Sequence, residues 1–242
     1  MKVRGLILEQ KQAVTEQIDV VAASMYLSEV RDLVSGIREA LLELRRAGTE
    51  WVEQQSVASA EVKARPEDFN RERFNAALRA SSGSQTDAFL FIEVLLARWA
   101  RLSLLLHPIP TGGLNPSWRV DRGRLLRSLV NLPDKSLLAN RDVRDSWMHY
   151  DERMDQSVQE GWLGNRQQFV ATAEVAGAIR HAVRVIDMES GTIYFRTREG
   201  SVDSVLFSAI DAALDQVASG LESVGERLAG LPLRQRGSAT EA

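Results

Sequence analysis

The chain has 242 residues, 44% of them hydrophobic, enough for a real core in one large domain or two small ones. Its 30 Lys+Arg against 33 Asp+Glu give a net charge of -3, which excludes a global basic field for nucleic-acid binding and makes any such contact local. The absence of cysteine excludes disulfides, thiolate nucleophiles and cysteine-based zinc sites.

The start, MKVRGLILEQKQ, lacks the apolar run and small-residue cleavage site of a secretory signal, so a cytoplasmic protein is expected. Residues 15–51 carry Leu27, Val30, Val34, Ile37, Leu41 and Leu44, spaced alternately three and four apart, which predicts a long amphipathic helix. Its apolar stripe has to bury against another helix or a second subunit. Pro66, Glu67 and Asp68 look like the first turn of a short helix opening near Phe69 and closing near Ala80. SSGSQTD then predicts a break, with Thr86 or Ser84 as the N-cap of the next helix.

That next helix, 88–106, is apolar at 15 of 19 positions. It also contains Glu93, Arg98 and Arg101. Near the centre of a membrane span each would cost about 2.5–3.5 kcal/mol, so a buried helix is expected and no membrane partner. HPIPTGGLNPS, with three prolines and two glycines, is a loop, and a short basic helix follows around DRGRLLRSLV. A further helix is predicted over about 134–159, opened by Asp134 or Ser136 and stopped by Gly161. AVRVID, MESG and TIYFRTR then read as a β-hairpin near 184–198, and helical spacing resumes from VDSVLF. The expected architecture is a mainly α, helical-bundle domain over 1–229 with one small β-hairpin, and a disordered tail over 230–242.

The helix over 134–159 holds RDSWMHYDERMD. Its apolar stripe is Val143, Trp147, Tyr150 and Met154, spanning about 60° at 100° per residue. Arg141, Asp145, His149 and Glu152 fall opposite it, and Arg144 on the flank. Asp145 and His149, four apart, form a pair in which a carboxylate holds an imidazole in one tautomer and raises its proton affinity. His149 and Glu152 could share a metal, but the sequence supplies no second histidine nearby, so neither metal nor cofactor is expected. Arg144 could steady a phosphate while His149 moves a proton. A solvated helix face with i,i+4 ion pairs, each contributing about 0.2–0.5 kcal/mol, explains the same residues without a site.

This stretch resembles the signature of the HEPN superfamily (higher eukaryotes and prokaryotes nucleotide-binding domain), an Arg followed after four to six residues by a His. Arg144, Asp145 and His149 match it, with four residues between Arg and His. The resemblance covers about 20 residues. It implies a helical bundle that forms a homodimer, so that two motifs face each other across a cleft. In active members such a cleft cleaves RNA without metal. By this resemblance Arg144 and His149 would polarise the scissile phosphate and aid attack by the 2'-hydroxyl, with Asp145 tuning them. An RNA cleft also needs positive charge, for which Arg119, Arg122, Arg124, Arg127 and Arg141 are candidates. The implied function is a metal-independent endoribonuclease, as a toxin with an antitoxin protein for partner or in phage defence. The other expectation is a non-catalytic helical dimer that binds or regulates a partner. His107 reads as a helix-end histidine, His181 is not placed by its context, and Trp51, Trp99, Trp118 and Trp162 read as core or interface anchors.

Overall fold

The computed structural model describes residues 18, 20–65, 67–111, 116–148, 152, 155, 158, 159, 165–171, 174–197 and 199–231. They are mainly helical, with a four-stranded mixed sheet toward the C-terminal side. In chain order the elements are α1 (Val20–Lys63), α2 (Arg71–Leu106), α3 (Pro116–Leu129), a 3-10 turn (Leu137–Ala139), α4 (Arg141–Met148), β1 (Asn165–Val170), α5 (Val175–Ala178), β2 (Ala182–Asp187), β3 (Thr192–Arg196), β4 (Val202–Leu206), α6 (Phe207–Glu222) and α7 (Val224–Ala229). None of the described helices is long and apolar enough to cross a membrane. The chain divides into two compact units, and α1, α2 and α6 each give residues to both.

The first unit comprises Met1–Val34, Arg101–Ala139 and Ala213–Ala242. Its core gathers Leu27, Val30, Leu102, Leu106, Leu126 and Val217, all 3% exposed or less. Polar bonds fix its turns. The Ser103 hydroxyl, fully buried, donates to the carbonyl of Leu138 at 2.7 Å. At the end of α3 the N–H of Leu132 donates to Arg127 O at 2.8 Å and that of Asn131 to Ser128 O at 3.3 Å, while Asn131 takes a φ of 51°. This is the Schellman arrangement, with asparagine in the left-handed position where glycine is commoner. The Nε of Arg227 donates to Leu129 O at 2.6 Å and ties α7 to the same helix end.

The second unit comprises Ser35–Ala100 and Asn140–Ala212. Here Ile37, Leu41, Leu44, Ile92, Leu95 and Trp99 form the helical core, each 1% exposed or less. Gly36 lets Arg98 lie across α1, since a Cβ there would fall 1.2 Å from Arg98 Nη1. The strand order is β1-β2-β3-β4, with β1 parallel to β2 and the other pairs antiparallel. α5 lies in the short crossover from β1 to β2. Val170, Ala182 and Val185 pack with Val175, Ala178, Ile179 and Tyr194.

Several sequence expectations are revised. The stripe from Leu27 to Leu44 is buried within this one chain, no member above 4% exposed, as the first of its two expected alternatives has it, and only the need for a second subunit falls away. SSGSQTD does not break the chain: α2 runs through it. Ser81, 4% exposed, accepts from Gln55 Nε2 at 2.7 Å, and Ser84 lies 3.4 Å from Glu50 Oε2, so α1 supplies the partners that keep small polar residues helical. The Thr86 hydroxyl bonds back to Ser82 O at 2.9 Å instead of capping. The true cap of α2 is Asn70, whose Oδ1 accepts from the Arg73 N–H at 2.9 Å. The expected hairpin is β2–β3, but β1 and β4 flank it, and VDSVL is a strand before α6 begins. Of the expected tail, residues 232–242 lie outside the described residues, as does Trp162.

Two glycines of the first unit give opposite expectations. A Cβ on Gly220, inside α6, would meet Val130 O at 1.9 Å, whereas one on Gly225 meets nothing within 4 Å. Gly220→Ala is expected to lower unfolding free energy by about 1–3 kcal/mol or more. Gly225→Ala should raise it by about 0.5–1 kcal/mol. Urea denaturation of the two variants beside the parent chain checks both signs.

Candidate functional site

The motif helix α4 starts later than the sequence pattern predicts. Asp134 is drawn into an ion pair with Arg127 at 2.9 Å, and the Ser136 hydroxyl lies 3.0 Å from His107 Nε2, so neither residue caps it. Asn140 does: its Oδ1 accepts the Asp142 N–H at 2.9 Å, one residue before the helix opens at Arg141. The expected continuation is described only in part, with residues 152, 155, 158 and 159 helical. His149 lies outside the described residues, as do Tyr150 and Met154 and the side chains of Arg141, Trp147 and Met148.

Two residues of the motif are therefore placed in full. Arg144 is not on a flank: its side chain is 3% exposed, as buried as Val143, on a helix that packs against β3. Its Nε donates to Asp145 Oδ1 at 2.9 Å, and among the described residues that carboxylate is its one bonded side chain. Adjacent helical residues point about 100° apart and do not normally face each other, so this bond has the guanidinium folded back along the helix surface. Asp145 is 38% exposed. The pair therefore runs from the interior to water, with the positive end inside. A solvated face of i,i+4 pairs does not describe it, because a buried guanidinium needs a partner to offset its lost hydration.

The arginines expected to hold RNA divide between the two units. Arg119, Arg122, Arg124 and Arg127 are on α3 in the first unit, whereas Arg141, Arg144 and Asp145 are on α4 in the second. Arg124, exposed, pairs with Asp121 at 3.2 Å. Arg127 binds Asp134 and also donates to Leu106 O, which leaves it 13% exposed. Arg122 donates to Leu104 O at 3.2 Å and lies over the rings of Tyr26 and Trp118, 5.2 and 5.8 Å from their centroids. Arg119 is half-buried.

The remaining marked residues have structural places. His107 follows the end of α2, with its N–H donating to Ser103 O at 2.6 Å. Trp51 and Trp99 are core residues, and Trp118 meets Tyr26 in a tilted pair with centroids 6.1 Å apart. His181, exposed, stands at the turn before β2 and lines a cleft of about 560 Å³ with Gln85, Phe89, Gln168, Phe169 and Glu174. Sequence reasoning missed that cleft because it is assembled from α2, β1 and α5, and no contiguous motif announces it. Among the described residues no three His, Asp or Glu gather as a metal site. No family model matches this chain, and no curated protein or solved structure matches it.

The buried pair sets an asymmetric expectation. Replacing Arg144 by the similarly long, uncharged Met removes a buried charge and should leave stability within about 1 kcal/mol of the parent. Asp145→Ala removes the carboxylate bonded to the buried guanidinium and should cost about 1–3 kcal/mol. Chemical denaturation of both variants decides it. Equal losses would mean that the pair is not what holds Arg144 in the interior.

Proposed function

We propose that this chain is a HEPN-like endoribonuclease that cleaves RNA without metal, with His149 as the proton-transfer group and the Arg144–Asp145 pair setting its electrostatic environment. The observation that supports the reading is the burial of Arg144, 3% exposed, against a carboxylate that reaches water. That is a charged device on the motif helix, and packing alone does not need it. Because the guanidinium is buried and folded onto Asp145, its role in this reading is to position from within, and its effect reaches the phosphate through local charge. In the reaction the 2'-oxygen bonds to phosphorus as the bond to the 5'-oxygen breaks. A base takes the 2'-hydroxyl proton and an acid protonates the leaving 5'-oxygen, leaving a 2',3'-cyclic phosphate. Two motifs in a homodimer would supply the acid and the base from two copies of His149. A toxin with an antitoxin partner, or a phage-defence component, is the setting in which such a nuclease would act.

A second reading has its own observations. Arg122, Arg124 and Arg127 all hold partners within the first unit, and the chain carries a net charge of -3. Both favour a non-catalytic helical dimer that binds or regulates another molecule.

The deciding assay incubates the purified full chain with labelled RNA in excess chelator. Cleavage should leave 2',3'-cyclic phosphate ends, and His149→Ala should lower the rate by about 100- to 10,000-fold. Arg144→Lys should also be damaging, since an ammonium does not reproduce the guanidinium's directed bond to Asp145. Arg144→Met should displace the pH–rate profile, which a merely structural role would leave in place. Undiminished cleavage by His149→Ala would place the activity elsewhere or in a contaminant. Absence of cleavage on every RNA, with a dimer in light scattering and harmless overexpression, would select the binding module.

A further inference from the structure

The first unit contains a cleft of about 310 Å³ whose chemistry is independent of the motif helix. Among the described residues it is lined by three arginines, Arg101, Arg119 and Arg122, and by one acidic residue, Glu29. Three positive groups against one negative group leave an excess of two positive charges, in a chain whose net charge is -3. Glu29 is already engaged, accepting from Arg101 Nη2 at 2.6 Å. Arg122 is held in place by Leu104 O and by the rings of Tyr26 and Trp118. Its Nε is nevertheless buried and, among the described residues, without a hydrogen-bond partner. A buried guanidinium N–H without an acceptor is costly, and an arriving anion would satisfy it. The rest of the lining is apolar: Leu104 and Leu105 from α2, with Pro108 and Ile109 from the loop that follows.

We infer that this cleft binds a small organic anion, a carboxylate or phosphate monoester on a compact apolar body, with the charge toward Arg119 and Arg122 and the body on Leu104, Leu105 and Ile109. Inorganic phosphate lacks the apolar half, and a neutral aromatic lacks the charge. A polyanion suits the cleft less well than a small anion, because Arg124 and Arg127 on the same helix are already paired with Asp121 and Asp134. Glu29 gives the inference its sharpest consequence. It is the one carboxylate among the described residues of the lining, and it competes with the ligand for Arg101. Removing its charge should therefore strengthen anion binding, although it breaks an ion pair.

The test is calorimetric titration of the full chain with 1-naphthoate, 1-naphthyl phosphate, 1-naphthol and inorganic phosphate, with thermal melting of every variant. At least one naphthyl anion should bind about tenfold or more tightly than either 1-naphthol or inorganic phosphate, and which anion does so identifies the headgroup. Glu29→Gln should tighten that binding severalfold, and Ile109→Glu should weaken it by about tenfold or more with its melting temperature retained. Arg31→Gln, at an exposed position outside the lining, should leave it unchanged. The inference is overturned if neither naphthyl anion binds at millimolar concentration, if 1-naphthol binds as tightly as they do, or if Glu29→Gln leaves anion affinity at or below that of the parent chain.

Discussion

Charge taken out of water has to find a partner, and in the second unit this requirement fixes the places where the chain reverses. Glu61, 7% exposed near the end of α1, accepts the Asn70 N–H at 3.1 Å and pairs with Arg73 at 3.3 Å. Asn70 in turn caps α2, so one buried carboxylate joins the close of one long helix to the opening of the next. Asp187, fully buried at the end of β2, accepts the N–H groups of Glu189 and Ser190 at 3.0 and 3.2 Å and the Ser190 hydroxyl at 2.6 Å. That carboxylate shapes the turn in which Gly191 takes a φ of 64°. A charged group with several donors is strong where the local dielectric is low, and its geometry then leaves few alternatives for the turn. Arg144 obeys the same rule with the sign inverted: a buried cation answered by a carboxylate at the water's edge.

The elements with long, regular periodicity were legible because one face decided them. Leu27, Val30, Val34, Ile37, Leu41 and Leu44 are buried as their spacing requires, and the β-branched and aromatic residues of AVRVID and TIYFR, around a glycine turn, give the paired strands β2 and β3. What the sequence concealed were choices made by distant partners. Ser81 and Ser84 look like a break until Gln55 and Glu50 meet them from α1. Asp134 and Ser136 look like caps until Arg127 and His107 claim them. β1 begins with polar NRQQ and β4 exposes Val202 and Leu206 at the sheet's edge, so neither carries a buried face strong enough to read alone. In each case the local signal was real and a long-range bond outweighed it.

The candidate site was legible in its residue types and not in its depth. A helical wheel ranks positions by the apolar stripe, and Arg144, next to Val143, falls on the flank. The wheel has no means of representing a guanidinium that follows its neighbour inward with Asp145 as escort. Depth matters to the proposed reading, in which an exposed Arg144 would contact the phosphate and a buried one acts as a fixed local field. The sequence also treated the arginines of α3 as equivalent. Arg124 is a surface ion pair of small consequence, Arg127 is bonded inward to Leu106 O and outward to the exposed Asp134, and Arg122 is framed by aromatic rings. Only environment separates those roles, and environment is set by residues far away in the chain.

That separation bears on which anions the molecule can hold. A polyanion approaching from solution samples the summed field of a chain in which acidic residues outnumber basic ones, 33 to 30, so its attraction is weak except against a dense local patch. A small anion within a cleft samples only the charges within about a Debye length, roughly 8–10 Å at moderate salt, and apolar walls strengthen those few interactions. The cleft of Arg101, Arg119 and Arg122 meets the second condition, and Arg124 and Arg127, each paired with an aspartate, add little to a patch for the first. In the proposed reading, a nuclease site on α4 gains hold on its substrate from the charge that a second copy adds. In that reading, catalysis and assembly become one electrostatic question.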